Sequence, residues 1–265
     1  MVRRSMRVPS ALVLLLLSLP AWAQPPELPL TGFRDRVMLV WGGGKTREEA
    51  ERFVASYQER AKDWARALDL APGYPRIFEG TEVPGLRPGA FFVALGVCEA
   101  GEGARLGKVF QALDPLSTTR GVLWEEGASS DCPSFLPGWS FGTSARLRVP
   151  EGTLAAASFD YEEEGKQPTW MGVVALLKKG DAESTVLEPP EDDTASEVKR
   201  LKAGRGELVL EEALTEPPCD TGARTETHTR TWHVSARKGE IVTRQEKKPL
   251  RHAPCESPAE DSTGE

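Results

Sequence analysis

Val37-Met38-Leu39-Val40-Trp41-Gly42-Gly43-Gly44-Lys45-Thr46-Arg47-Glu48-Glu49-Ala50-Glu51-Arg52-Phe53 is the stretch on which the fold turns. Five apolar residues in a row read as a buried strand, and the three glycines as a flexible turn. Thr46, followed three residues later by Glu49, is a capping box, the pattern that opens a helix. Ala50, Phe53, Val54, Tyr57, Ala61, Trp64, Ala65 and Leu68 then recur at helical spacing. The predicted helix runs on until Pro72-Gly73 forces it to stop.

Downstream, Arg76-Ile77-Phe78 reads as a short strand, with turn signals at Pro84-Gly85 and Pro88-Gly89. Phe91 to Val97 is a second apolar strand, Glu102 to Leu113 a helix weakened by Gly103 and Gly107, and Gly121 to Trp124 a closing strand. The predicted order is βαββαβ. A shift of 54 residues lays Val37–Gly42 on Phe91–Gly96, Glu48 on Glu102 and Ala50 on Ala104. One strand–helix unit used twice accounts for that echo.

The strand, glycine, Lys-Thr step and Glu48-Glu49-Ala50-Glu51-Arg52-Phe53 together resemble the sporulation-related (SPOR) repeat. Val83-Pro84-Gly85-Leu86-Arg87-Pro88-Gly89-Ala90 leading into Phe91–Gly96 is similar to that family's second half. The resemblance covers residues 35–126 and implies a ferredoxin-like βαββαβ domain that binds peptidoglycan glycan on the sheet face away from the helices. With Leu39, Trp41, Val93 and Leu95 facing the helices, alternation puts Met38, Val40, Phe92 and Ala94 on the other face. Those four are the ligand-binding candidates. Their apolar character departs from a sugar-binding surface, and strands apolar on both faces ordinarily have both covered. A seam under a second module is therefore the competing expectation.

Arg3, Arg4 and Arg7, the apolar run Ala11–Leu19 and Ala21-Trp22-Ala23 follow the layout of a cleavable secretory signal, residues 1–23. The run is short for a membrane span, and no other stretch is apolar enough for one, so no membrane insertion is expected after cleavage. Loss of three arginines moves the formal charge from −7 to −10. An acidic surface argues against nucleic acid as the partner. The expected location is the periplasm or the medium, and the expected partner peptidoglycan or an envelope protein.

Four cysteines, Cys98, Cys132, Cys219 and Cys255, read as two disulfides in an exported chain, with three pairings possible. Cys98–Cys132 with Cys219–Cys255 keeps each bridge inside one module. The SPOR-like fold would bring Cys98 and Cys132 within reach, because its last two strands end at the same edge.

Residues 127–144 read as a connector, although Phe135, Trp139 and Phe141 are too apolar for a free linker. Residues 145–256 read as a small antiparallel β module: Arg146–Val149, Leu154–Phe159, Trp170–Leu177, Glu207–Leu210, Arg224–Val234 and Ile241–Glu246, with a turn at Lys238-Gly239. Thr194–Ala203 suits helix or strand, and residues 257–265 read as a disordered acidic tail. The expected class is α+β: a ferredoxin-like domain followed by this module.

Two motifs invite chemistry. Gly44-Lys45-Thr46 ends like a phosphate loop, but the first glycine of that motif is replaced by Leu39. Gly138-Trp139-Ser140-Phe141-Gly142 matches the nucleophile elbow, with Asp160 and His228 or His233 in the chain order of a triad. Prolines before it and a strand after it argue against the sharp turn an elbow needs. His228 and His233, five apart in a strand, point to opposite faces and make no ligand pair. No enzyme activity, metal or cofactor is expected; a serine hydrolase through Ser140 is the distant alternative. In an exporting cell the mature chain is expected to begin at Gln24, and N-terminal sequencing of the secreted or periplasmic protein checks this.

Overall fold

The computed structural model describes residues 33–125, 131–179, 181–189, 195–215 and 227–247. The opening strand is β1 (Phe33–Gly44), longer than predicted because it begins at Phe33 and the glycines continue it. Helix α1 (Arg47–Ala61) follows. Its capping box is formed: Thr46 Oγ1 accepts the Glu49 N–H at 3.2 Å, and Glu49 Oε2 accepts the Lys45 N–H at 2.6 Å. The helix ends at Ala61, well short of the predicted stop at Pro72-Gly73 and seven residues before Leu68, the last of the apolar stripe. Trp64 still reaches the core, from a turn rather than a helix.

Next come β2 (Leu68–Asp69), β3 (Arg76–Glu79), β4 (Phe91–Cys98), α2 (Ala100–Leu113) and β5 (Thr118–Glu125). Strands pair antiparallel in the order β3-β4-β1-β5. Both helices lie on one face of this first sheet, over Leu39, Trp41, Val93 and Leu95. Gly103 and Gly107 let α2 sit close. A Cβ at Gly103 would lie 2.6 Å from Val37, and one at Gly107 2.5 Å from Thr119.

The remaining strands are β6 (Ser134–Phe135), β7 (Trp139–Val149), β8 (Gly152–Tyr161), β9 (Thr169–Lys178), β10 (Asp181–Leu187), β11 (Ala195–Ala203), β12 (Glu207–Thr215), β13 (Thr227–Arg237) and β14 (Glu240–Lys247). They form a second sheet, β10-β9-β8-β7, and a third, β11-β12-β13-β14, while β6 pairs back onto β2. Lys238 and Gly239 both have positive φ, as a tight hairpin turn between β13 and β14 requires.

These strands overturn the expected fold class. The chain is not a ferredoxin-like βαββαβ domain followed by one small β domain. It is 58% strand and 15% helix, with four antiparallel sheets and two helices among the described residues. The physical reason lies in β8 and β9, whose runs Leu154–Phe159 and Trp170–Leu176 are buried on both faces. Ala157, Phe159, Met171 and Val173 pack against the helix layer, in one cluster with Leu39, Trp41, Leu106 and Phe110. Leu154, Ala156, Trp170, Val174 and Leu176 point the other way, onto Leu208, Leu210, Trp232 and Val234 of the third sheet. The layers therefore run sheet, helices, sheet, sheet. Residues 139–144, expected in a connector, are the first half of β7. Phe135 and Phe141 pack on Phe159 with ring centroids 6.4 and 6.0 Å apart.

Between the second and third sheets sits a buried charge pair. Glu212 and Arg230 are cross-strand partners on β12 and β13, 0% and 2% exposed. The Glu212 carboxylate accepts Trp170 Nε1–H at 2.7 Å and Trp232 Nε1–H at 3.2 Å, and lies 3.1 Å from Arg230 Nη1. The network ties both sheets together, and removing one charge strands the other without water. Glu212→Ala is expected to cost about 3–5 kcal/mol, measured as a lowered urea midpoint. The Glu212→Leu/Arg230→Met double variant is expected to recover most of that loss.

Candidate functional site

Met38 and Ala94 are fully buried, Val40 is 5% exposed and Phe92 is half-buried. They lie together on the face predicted by alternation, in a cluster with Phe78, Val83, Leu86, Val97 and Val122. The cover is neither solvent nor the β module. It is the segment after β3, which carries Val83 and Leu86 back across the sheet. Backbone bonds hold it there: Leu86 N–H donates to Val83 O at 3.1 Å, and Leu123 N–H to Pro84 O at 2.9 Å. Gly85 has φ +99°, and a Cβ on it would lie 2.8 Å from Gly121 O. The Pro-Gly turn signals thus build a lid on the face. Tyr74 packs at its margin, its hydroxyl 3.4 Å from Asp131 Oδ2. Burial, reinforced by Asp131, pushes that phenol up to about 12.

Cys98 and Cys132 are bonded, with Cα atoms 4.7 Å apart, and the bridge fastens the end of β4 to the segment after β5. Cys219, Cys255, His252, residues 1–23 and the 257–265 tail lie outside the described residues.

The glycine run is explained by packing. A Cβ at Gly42 would lie 2.3 Å from the Phe53 ring, and one at Gly43 2.2 Å from Phe91 O. The glycines let α1 and β4 press against the end of β1, and Glu49 already occupies the Lys45 amide.

Ser140 lies within β7, opposite Asp160 on β8. A strand continues through the motif, without the strand-to-helix turn of a nucleophile elbow. Both histidines are on β13 in the third sheet. His233 Nδ1 sits 2.9 Å from Glu207, and Nε2 3.7 Å from Glu246. His228 is half-buried on the opposite face, as alternation requires. Among the described residues no group of three or more His, Cys, Asp or Glu is arranged to hold a metal ion. No described helix is long and apolar enough to cross a membrane.

A cleft of about 680 Å³ lies between α1 and the β9–β10 hairpin, within the size range of ligand pockets. Phe53 and Leu177 supply apolar wall, and Leu116, 74% exposed, stands at the lining. At the back lies Arg60, 3% exposed. Its guanidinium is bonded to Asp114 and Leu113 O and stacks 5.1 Å from the Trp41 ring centre. Burial holds its pKa below the ordinary guanidinium value, partly offset by Asp114. Arg60 was a signal available in the sequence, a charge on the apolar stripe between Tyr57 and Trp64. Arg52, on the same wall, makes no ion pair among the described residues. The cleft itself joins residues more than 120 positions apart, which no local pattern brings together.

No protein-family model, curated protein or solved structure matches the chain.

Asp160 offers a pH test. Its Oδ1 is buried without a hydrogen-bond partner among the described residues. Burial, then Glu197 and Glu162 as like charges, holds its carboxyl above the usual carboxylate range. An acid with a raised folded-state pKa binds its proton more tightly when folded. Its favourable contribution is present below the unfolded pKa and lost as pH rises through the raised folded value. Asp160→Asn is therefore expected to raise the urea midpoint at pH 7.5. That gain should close as pH falls below the ordinary carboxylate range.

Proposed function

We propose that this chain is a non-catalytic exported protein of the cell envelope that works by binding another envelope protein. The observation that carries the choice is the lid over Met38, Val40 and Ala94. Glycan binding through a SPOR-like sheet would need that face open, and Val83 and Leu86 occupy it. Export is supported by the signal-like N-terminus, and the Cys98–Cys132 bridge agrees with an oxidising compartment.

The hydrolase alternative draws no support from β7, where Ser140 and Asp160 face each other across a regular strand pair and the histidines belong to another sheet. Peptidoglycan remains the partner to test against. Co-sedimentation of the purified mature protein with peptidoglycan sacculi is expected to leave it in the supernatant. Ester substrates are expected to be untouched, with Ser140→Ala indistinguishable from wild type. Saturable retention on sacculi, or ester turnover abolished by Ser140→Ala, would sink this reading.

A further inference from the structure

The three large sheets leave six edge strands, and an unpaired edge invites another chain to pair with it. Five carry some protection. Strand β5 gives its Leu123 N–H to Pro84 O, and β3 is four residues long. Strand β7 is broken by a bulge between Phe141 and Ser144. Strand β11 has a bulge between Val198 and Arg200 and carries Lys199 and Lys202. Strand β14 carries Arg244 and Glu246.

Strand β10 is the least protected of the six, its only charges being Asp181 and Glu183. It pairs with β9 residue for residue, from Asp181↔Lys178 to Leu187↔Gly172, without a bulge, proline or basic residue. The charge at its centre, Glu183, is already answered by Lys178 at 3.4 Å and by the Ile241 N–H at 3.2 Å. No backbone hydrogen bond among the described residues reaches its outer edge from another element. The cleft opens at the start of this same strand: Asp181 and Ala182 line it together with Arg52, Phe53, Leu116 and Leu177.

From this juxtaposition we infer that β10 and the cleft beside it form a docking site for an extended peptide segment of a partner protein. This inference names the partner surface for the interaction reading above and rests on it. The segment adds as a fifth strand to the second sheet, its backbone paired with the free edge of β10. Side chains on one face of an added strand recur at every second residue, so apolar residues at alternate positions meet Phe53, Leu116 and Leu177. An acidic side chain or terminal carboxylate meets Arg52, which makes no ion pair among the described residues, in a charge-assisted hydrogen bond.

The test pans a phage-displayed random heptapeptide library over the whole mature protein, then measures each enriched peptide by fluorescence anisotropy and hydrogen exchange. Alternating apolar residues with one acidic group are expected in the enriched peptides. Bound peptide is expected to slow amide exchange in residues 182–186. Arg52→Glu and Leu116→Asp, both at exposed positions, are each expected to weaken binding at least about tenfold without moving the unfolding midpoint. Peptides that bind both variants as well as wild type, or that protect other strands, overturn the site but leave the interaction reading standing. Failure to enrich any peptide also overturns the site, and the sacculus experiment then decides the broader reading independently.

Discussion

The second sheet, β7 to β10, presents apolar side chains on both faces, and both have to be removed from water at once. Its inner face takes the helices that already cover the first sheet, through Phe159, Met171 and Val173 against Leu106 and Phe110. Its outer face takes the third sheet, through Trp170 and Leu176 against Leu208 and Trp232. A helix layer enclosed between two sheets has no free side. This constraint sets the order of the layers and denies the first half the independence of a freestanding βαββαβ domain. The Cys98–Cys132 bridge reinforces it at the point where the chain leaves the first sheet.

The first sheet meets the same demand differently. Its outer face is covered by Val83 and Leu86, supplied by the chain between its own second and third strands in sequence order. What remains accessible is the margin where layers meet: sheet edges and the cleft between α1 and the β9–β10 hairpin. The described polar groups are dispersed, and the buried pair Glu212 and Arg230 holds two sheets together.

Much of the local structure was legible. Thr46 and Glu49 formed the capping box their spacing announced, and alternation placed Leu39 and Trp41 opposite Met38 and Val40. The Cys98–Cys132 pairing was readable too. The layering was misread, although its signs were present. Leu154–Phe159 and Trp170–Leu177 are continuous apolar runs, and such runs mean a strand covered twice, which one small sheet cannot provide. Glu212 and Arg230 both occupy inward positions of alternating strands, among Leu208, Leu210, Trp232 and Val234. Two opposite charges in core positions announce a partner across the strand pair. The lid over the first sheet was hidden for another reason: Pro84-Gly85 and Pro88-Gly89 signal turns, but direction is set by packing. The cleft was beyond reach because its walls meet through tertiary contact alone.

The sheet face carrying Met38 is closed in the folded protein, and the proposed docking site lies elsewhere. Methionine oxidation by dilute hydrogen peroxide, followed by mass spectrometry, reads this directly, because Met171 is equally buried and serves as an internal reference. The account predicts that Met38 oxidises as slowly as Met171 in native buffer, and that both become fast together when urea unfolds the chain. Rapid oxidation of Met38 in the native protein, with Met171 still protected, would contradict it.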